Sequence, residues 1–202
     1  MCARVAGAPK SAGLADHWQM FPVETSGRRL TLRELTEADA EALHVILADA
    51  RVADQVLDEA PPSPSEIRDA IPTWQADATS EQRRLYKLAA IADGQLVGLG
   101  TLAVVDAQHR RGEIGYLIHP DRWGQGLATE LAALLVELGF RTAELHRIQA
   151  TTRPDNPASR RVLEKIGMRS EGRFREHLFV RGVWWDSLCY AILATDQPKG
   201  TK

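Results

Sequence analysis

The feature that most constrains this chain is the passage from Glu113 to Phe140, in which E-I-G-Y-L-I runs into H-P-D-R-W-G-Q-G and then L-A-T-E-L-A-A-L-L-V-E-L-G-F. The first run has strand character and ends at a Pro-containing turn. Behind the two glycines, Leu127, Leu131, Leu134, Leu135 and Leu138 recur at the spacing of one buried helix face. A glycine-punctuated turn at a helix start leaves backbone N–H groups without partners and adds the positive end of the helix dipole. With no Cβ in the way, a ligand can approach that backbone closely. The passage therefore reads as a phosphate cradle set between a strand and a helix.

The rest of the chain supplies a layered α/β architecture around it. Arg28–Glu34 alternates like a half-buried strand, and Thr36 opens a helix predicted to run to about Ala50. A Pro-rich break at Pro61–Pro64 precedes a second helix through about Ala78. Asp93-Gly94 joins two strands, Tyr86–Ala92 and Gln95–Val105, as a tight hairpin. A strand at Arg147–Thr152, a helix at about Ala158–Ile166 and a closing hairpin at Met168–Val180 and Trp184–Ala194 complete the order. One sheet with helices on both faces is the natural packing.

With 202 residues, 44% hydrophobic content and a net charge of −2, the expectation is one domain at 19–196, a disordered arm at 1–18 and a tail at 197–202. That charge balance gives no reason to invoke nucleic acid or an anionic membrane surface. No apolar run approaches the roughly 20 residues of a membrane span, and the N-terminus lacks the apolar block of a signal peptide. Cys2 and Cys189 suggest reduced thiols in a cytoplasmic protein rather than a disulfide framework. The histidines are scattered without metal-ligand spacing, so no metal is expected.

Three phosphate ligands compete for the cradle. A Walker loop would need a Lys that nothing here supplies. A dinucleotide fingerprint would need Gly or Ala where Thr129 stands, and a ribose-binding acid about 20 residues on. The third is a coenzyme A pyrophosphate. H-P-D-R-W-G-Q-G-L-A-T-E followed by N-P-A-S-R-R-V-L-E-K-I-G-M resembles the GNAT superfamily of acetyl-CoA-dependent N-acetyltransferases, in its RimJ/RimL-type branch. That branch includes enzymes acetylating the N-termini of ribosomal proteins. The resemblance extends from the opening R-L-T-L-R-E to the closing V-W-W-D-S-L-C-Y-A.

The resemblance implies a mixed α/β fold: a mostly antiparallel twisted sheet of about six to seven strands, helices on both faces, and a splayed parallel pair that takes acetyl-CoA. The family loop falls on Asp121–Gly126, with Asp121 replacing the usual Gln or Arg. The cradle would then use backbone amides of Trp123, Gly124, Gln125, Gly126, Leu127 and Ala128, with Arg122 as the nearest cation. Leu117 and Ile118 would pair their backbone with the pantetheine arm, Asn156 would bond it from the other side, and Ser159 would lie near the sulfur.

Acetyl transfer to an amine needs a neutral nucleophile, a stabilised oxyanion and a stabilised leaving thiolate. Glu113 is the first choice of base, because it lies on the strand that enters the site and shares a face with Gly115 and Leu117. Glu171 and Glu176 are reserves. Ser159 or a nearby water is the candidate acid, since the helix that often carries a Tyr in this superfamily has none between Ala158 and Met168. The oxyanion is expected near the Leu117 or Ile118 amide. Other side chains have plainer readings: Arg160-Arg161 as a solvated pair or a phosphate contact, Trp184-Trp185 as hairpin packing, and Trp74 and Tyr86 as core or acceptor-pocket lining. The resulting expectation is transfer from acetyl-CoA to a primary amine, of a protein N-terminus or a small molecule, in a ternary complex. The alternative is a catalytically weak CoA-binding regulatory module. Both readings are compatible with a monomer or a homodimer.

Overall fold

The Asp93-Gly94 turn, with both residues at positive φ (51° and 74°), closes the hairpin from which the sheet is built. A computed structural model describes residues 22–56, 60–80 and 83–196. The expected arm at 1–18, the tail at 197–202 and Cys2 lie outside the described residues. Among the described residues the strands are β1 (Glu24–Ser26), β2 (Thr31–Glu34), β3 (Leu85–Ala92), β4 (Gln95–Asp106), β5 (Arg111–Ile118), β6 (Arg147–Thr152), β7 (Arg169–Val180) and β8 (Val183–Leu193). They form one sheet in the order β1-β2-β3-β4-β5-β6-β8-β7. Every neighbouring pair is antiparallel except β5 and β6. The eight strands exceed the six to seven expected. One that the sequence concealed is β1, whose three residues are too few to show alternation.

Alternation along the strands gives each sheet face its own core. In β3, Leu88 and Ala90 join one cluster while Ala89 joins the other. The first cluster holds Leu127, Leu131, Leu134, Leu135 and Leu138 of helix α4 (Leu127–Arg141) and Leu163 of helix α5 (Pro157–Lys165). The helix α4 leucine face predicted from spacing is therefore buried as a unit. On the opposite face Ala40, Leu43 and Leu47 of α1 (Ala40–Ala48) meet Ile67 and Ile71 of α3 (Pro64–Ala78). Ser63 caps α3 in a capping box with Glu66, and Pro64 occupies the first turn, where its missing N–H is harmless.

The helix predicted from Thr36 to about Ala50 is divided. Asp39 accepts from the Thr36 amide at 2.8 Å and from both Arg33 guanidinium nitrogens at 2.7 and 2.8 Å, which holds Glu37–Asp39 as a 3-10 turn. Asp49 is extended at ψ 122°, and the chain restarts as α2 (Ala50–Val56). That restart carries Arg51, Val52 and Gln55 to the open side of the β5–β6 gap.

Candidate active site

The strands β5 and β6 are in register only at Arg111↔Arg147, Gly112↔Ile148 and Glu113↔Gln149. Beyond those pairs they part, and a cavity of about 640 Å³ opens between Ile114–Ile118 on one side and Ala150–Thr152 on the other. Helix α5, the turn at Gly124 and Gly126, helix α2 and the β7–β8 hairpin complete its lining.

Register decides which backbone groups face this gap. The His119 amide donates to the Val97 carbonyl at 2.8 Å, so odd-numbered residues of β5 direct their amides and carbonyls to β4. Even-numbered residues face the gap. This corrects the expectation for Leu117: its backbone belongs to the β4 ladder, and the free groups are those of Tyr116 and the amide of Ile118. The Ile118 carbonyl is already taken by the Trp123 indole Nε1–H, which donates to it at 2.7 Å.

The cradle is built by left-handed backbone. Gly124 has φ +75° and Gly126 φ +79°, a region in which a side-chain-bearing residue is strained. The amides from Gly124 to Thr129 donate to nothing among the described residues, and they stand at the start of the 15-residue α4. The Trp123 amide, expected to join them, instead donates to the Pro120 carbonyl at 3.0 Å, closing a 3-10 turn at Pro120–Arg122. Gln125 lies off the cavity wall but anchors the loop, because its carbonyl accepts from Arg29 Nη1 at 2.6 Å. Glu130 completes the anchor by accepting from the Arg29 and Leu30 amides at 2.6 and 3.1 Å. Sequence spacing could not reveal Arg29, which lies 96 residues from Gln125. Arg29→Ala is expected to raise KM for acetyl-CoA about fivefold at unchanged kcat, in line with one lost charged hydrogen bond, as steady-state kinetics would show.

Cations surround the cradle. Arg122, Arg161 and Lys165 lie on the wall, and Arg161 is exposed. Arg160 is half-buried and its Nε has no partner among the described residues, so the two adjacent arginines part company. Asp121, where the family loop usually has Gln or Arg, pairs with Arg51 at 3.0 Å. Unpartnered amides, a helix dipole and nearby cations are a donor set suited to a pyrophosphate. The gap-facing backbone of Tyr116 and Ile118 suits an amide-bearing arm laid as an extra strand.

At the start of α5, Asn156 Oδ1 accepts from the Ser159 amide at 2.9 Å, and its Nδ2 donates to Gln55 Oε1 at 3.4 Å. The Ser159 hydroxyl does not cap the helix. It lies 3.0 Å from the Tyr116 hydroxyl, whose one proton can go to it or to the Ser159 carbonyl at 3.3 Å. Burial pushes the Tyr116 phenol up to about 12, so it stays protonated and able to donate across the neutral range. A phenol missing from α5 is thus delivered by the facing strand. The signal in the sequence was parity: Tyr116 shares a strand face with Ile114 and Ile118.

None of the three carboxylates suggested as a base reaches the wall. Glu113 is half-buried in the zipped part of β5, where Gln149 Nε2 donates to it at 3.0 Å. Glu171 is clamped by the Arg147 guanidinium, whose hydrogen bonds hold its carboxyl below the ordinary range. Glu176 sits at a bulge in β7. Among the described residues the one carboxylate on the wall is Asp155, held low by the Arg153 guanidinium at 2.6 and 2.9 Å. Trp185 lines the wall with Arg153 stacked 3.9 Å over its ring, whereas Trp184 packs on Phe179. Trp74 and Tyr86 are not on the wall; Trp74 packs on the second core and Tyr86 in the first. Among the described residues no three His, Cys, Asp or Glu side chains converge as a metal site requires.

A parted parallel pair ending on an amide cradle is the decisive arrangement, and residues 29–169 match the acetyltransferase (GNAT) domain family. The chain belongs to the GNAT acetyltransferase family. It is 33% identical over 175 residues to the uncharacterized N-acetyltransferase YoaA of Bacillus subtilis, covering 86% of this chain and 98% of that one. It is 26% identical over 167 residues to the spermidine N(1)-acetyltransferase of Escherichia coli, covering 83% and 87%. Among solved structures, Mycobacterium smegmatis RimJ in complex with CoA-disulfide superimposes with a TM-score of 0.80 at 30% identity, over 89% of this chain and 91% of that one. This GNAT protein is accordingly an N-acetyltransferase that uses acetyl-CoA as its acyl donor, and its likeness to RimJ makes it RimJ/RimL-like.

Proposed function

We propose that this GNAT protein transfers acetyl directly to a primary amine within a ternary complex, and that the acceptor is the α-amine of a peptide or protein. The observation that carries this reading is one cavity lined by two different kinds of surface. One is the amide cradle and its cations, which suits the pyrophosphate. The β7–β8 hairpin with α2 contributes Val52, Leu178, Val180, Trp185 and Ser187, which suit an acceptor with a small apolar face beside its amine. Among the described residues that surface has no unpaired carboxylate to receive the second ammonium of a polyamine. An α-amine, with an ordinary pKa near 8, is also easier to neutralise than an alkylamine near 10.

Direct transfer fits the nucleophiles present. Cys189 is buried off the wall and burial pushes its thiol pKa up, which disfavours the reactive thiolate. In the proposed complex the Gly124–Ala128 amides hold phosphate, Tyr116 and Ile118 orient the pantetheine arm, and the Ile118 amide faces the site of the developing oxyanion. Ser159, hydrogen-bonded to Tyr116, donates toward the leaving sulfur. Asn156 fixes the turn on which Ser159 stands.

Tyr116→Phe should lower kcat about tenfold while leaving the Kd for acetyl-CoA unchanged, and Ser159→Ala should do the same. Because the two hydroxyls act as one unit, the double variant should be little worse than either single one; additive losses would separate them. The overall reading is tested by thiol release from acetyl-CoA with Ala- and Ser-initiated peptides, spermidine and an aminoglycoside. Peptide-dependent release is expected. Tight acetyl-CoA binding without release for any amine would favour the regulatory module instead, and preference for spermidine would move the acceptor class.

A further inference from the structure

With no free carboxylate on the described wall, the proton of the acceptor ammonium needs another route. Ser187 is 2% exposed and lines the cavity. Its Oγ lies 3.0 Å from Nδ1 of His177, and His177 itself is exposed to solvent. A buried hydroxyl thus links the cavity to an imidazole that opens onto water.

A bulge in β7 makes this contact. The register passes from Phe174↔Ser187 to Leu178↔Trp185, so residues 175–177 together oppose Asp186 alone. Glu176 takes φ +49° and donates its amide to Asp186 Oδ1 at 2.8 Å, while Arg173 Nε donates to Asp186 Oδ2 at 2.5 Å. Such a bulge re-aims the following side chain, here His177, whose ring also packs 5.1 Å from that of Phe174. The charged groups of the bulge are Arg173, Arg175, Glu176 and Asp186, the last bonded to the Glu176 amide and to Arg173.

The pair is also on the correct side of the sheet. Leu188 and Tyr190 of β8 pack into the α4–α5 core, so Ser187 between Asp186 and Leu188 points to the opposite face, the one shared by Leu117. Tyr116 packs against the α4–α5 core. The hydroxyl pair proposed for the leaving sulfur and the Ser187–His177 pair thus flank the gap from opposite faces.

We propose that Ser187 and His177 form the proton exit for the acceptor amine, with Ser187 touching the acceptor and His177 acting through it. The inference rests on the acetyl-transfer reading above. In the neutral ring protonated at Nε2, Nδ1 accepts the Ser187 hydroxyl proton as Ser187 Oγ takes one proton from the acceptor ammonium. The amine is left neutral, the serine is restored and His177 becomes imidazolium. As the new C–N bond forms and the C–S bond breaks, the nitrogen's second proton ends on the sulfur. The imidazolium then releases its proton to water.

The test compares Ser187→Ala, His177→Ala and Glu113→Gln in the full chain, with an Ala-initiated peptide, from about pH 6 to about pH 9.5. The relay predicts that Ser187→Ala and His177→Ala lower kcat about a hundredfold near neutral pH without changing the Kd for acetyl-CoA. The deficit should shrink above the α-amine pKa, where the acceptor arrives already neutral. Added imidazole should restore part of the His177→Ala rate, and Ser187→Thr should retain turnover by keeping the hydroxyl. A loss that is uniform in pH, or no loss at all, overturns the relay. A low-pH deficit confined to Glu113→Gln also overturns it, and sends the proton past Gly115 to Glu113. Wild-type protein that releases no thiol with any amine fails the transfer reading itself, visibly and before any variant is made, and the relay falls with it.

Discussion

Gly124→Glu is expected to raise the Kd for acetyl-CoA by about a hundredfold, with the protein still folded. Gly124 is exposed, lies on the cavity wall at φ +75°, and an added Cβ there would meet no atom within 4 Å. The new side chain therefore has room, and no packing is lost. Two penalties remain. A left-handed conformation costs a side-chain-bearing residue about 1–2 kcal/mol, which the loop can relieve only by turning its amides away from the cradle. A carboxylate near the pyrophosphate adds repulsion that approaches about 4 kcal/mol for unit charges 4 Å apart at an effective dielectric of about 20. Calorimetric titration of the variant checks this, with Gly124→Ala separating strain from charge; an unchanged Kd would remove the cradle assignment. Gly126→Glu is the less clean variant. Its Cβ would lie 3.3 Å from Arg29 Nη2, so the new carboxylate can pair with that cation instead of opposing phosphate.

Glu34→Leu should destabilise the fold by about 3–5 kcal/mol, because it strands a buried cation. Glu34 and Arg83 are about one-tenth exposed at their side chains (10% and 8%) and meet through paired hydrogen bonds of 2.7 and 3.0 Å. Glu34 also accepts the Val23 amide at 3.1 Å, so two donors lose their partner at once. For a chain of this size the loss corresponds to a fall in Tm of about 10 °C. Replacing both partners with apolar residues, Glu34→Leu with Arg83→Met, should recover most of it, since the desolvated charge is then absent. Thermal and denaturant unfolding of the single and double variants would show this. A single variant as stable as the parent would mean that Arg83 finds water. Neither residue lines the cavity, so acetyl-CoA affinity of the folded protein should not change.

The elements legible in the sequence were those with a local physical signature. The α4 leucine face, the Asp93-Gly94 turn and the glycine turn at Gly124 and Gly126 each depend on residues within a few positions of one another. The misread places depend on partners far away. The break at Asp49 follows from its carboxylate binding Arg51 and from Arg51 reaching Asp121, 70 positions on. β1 exists because β2 offers it a ladder, not because three residues prefer to be extended. Glu113 had the right face by strand parity, yet its distance from the cavity depends on where β6 stops pairing, and one strand alone carries no record of that.

The sequence by itself determined the donor. The strand, glycine turn and helix are contiguous, so their unpartnered amides follow from chain geometry and point to a phosphate, while the resemblance of two ordered motifs to the GNAT superfamily narrows that phosphate to coenzyme A. Only the tertiary structure brought together the side chains proposed to act around the acetyl group. The parting of β5 and β6 exposes Tyr116 in place of Leu117, and sets its hydroxyl against Ser159 from 43 residues away. The β7 bulge brings His177 to Ser187 across a hairpin. Proton handling needs side chains held within hydrogen-bond distance, and across separate strands that distance is set by packing and register.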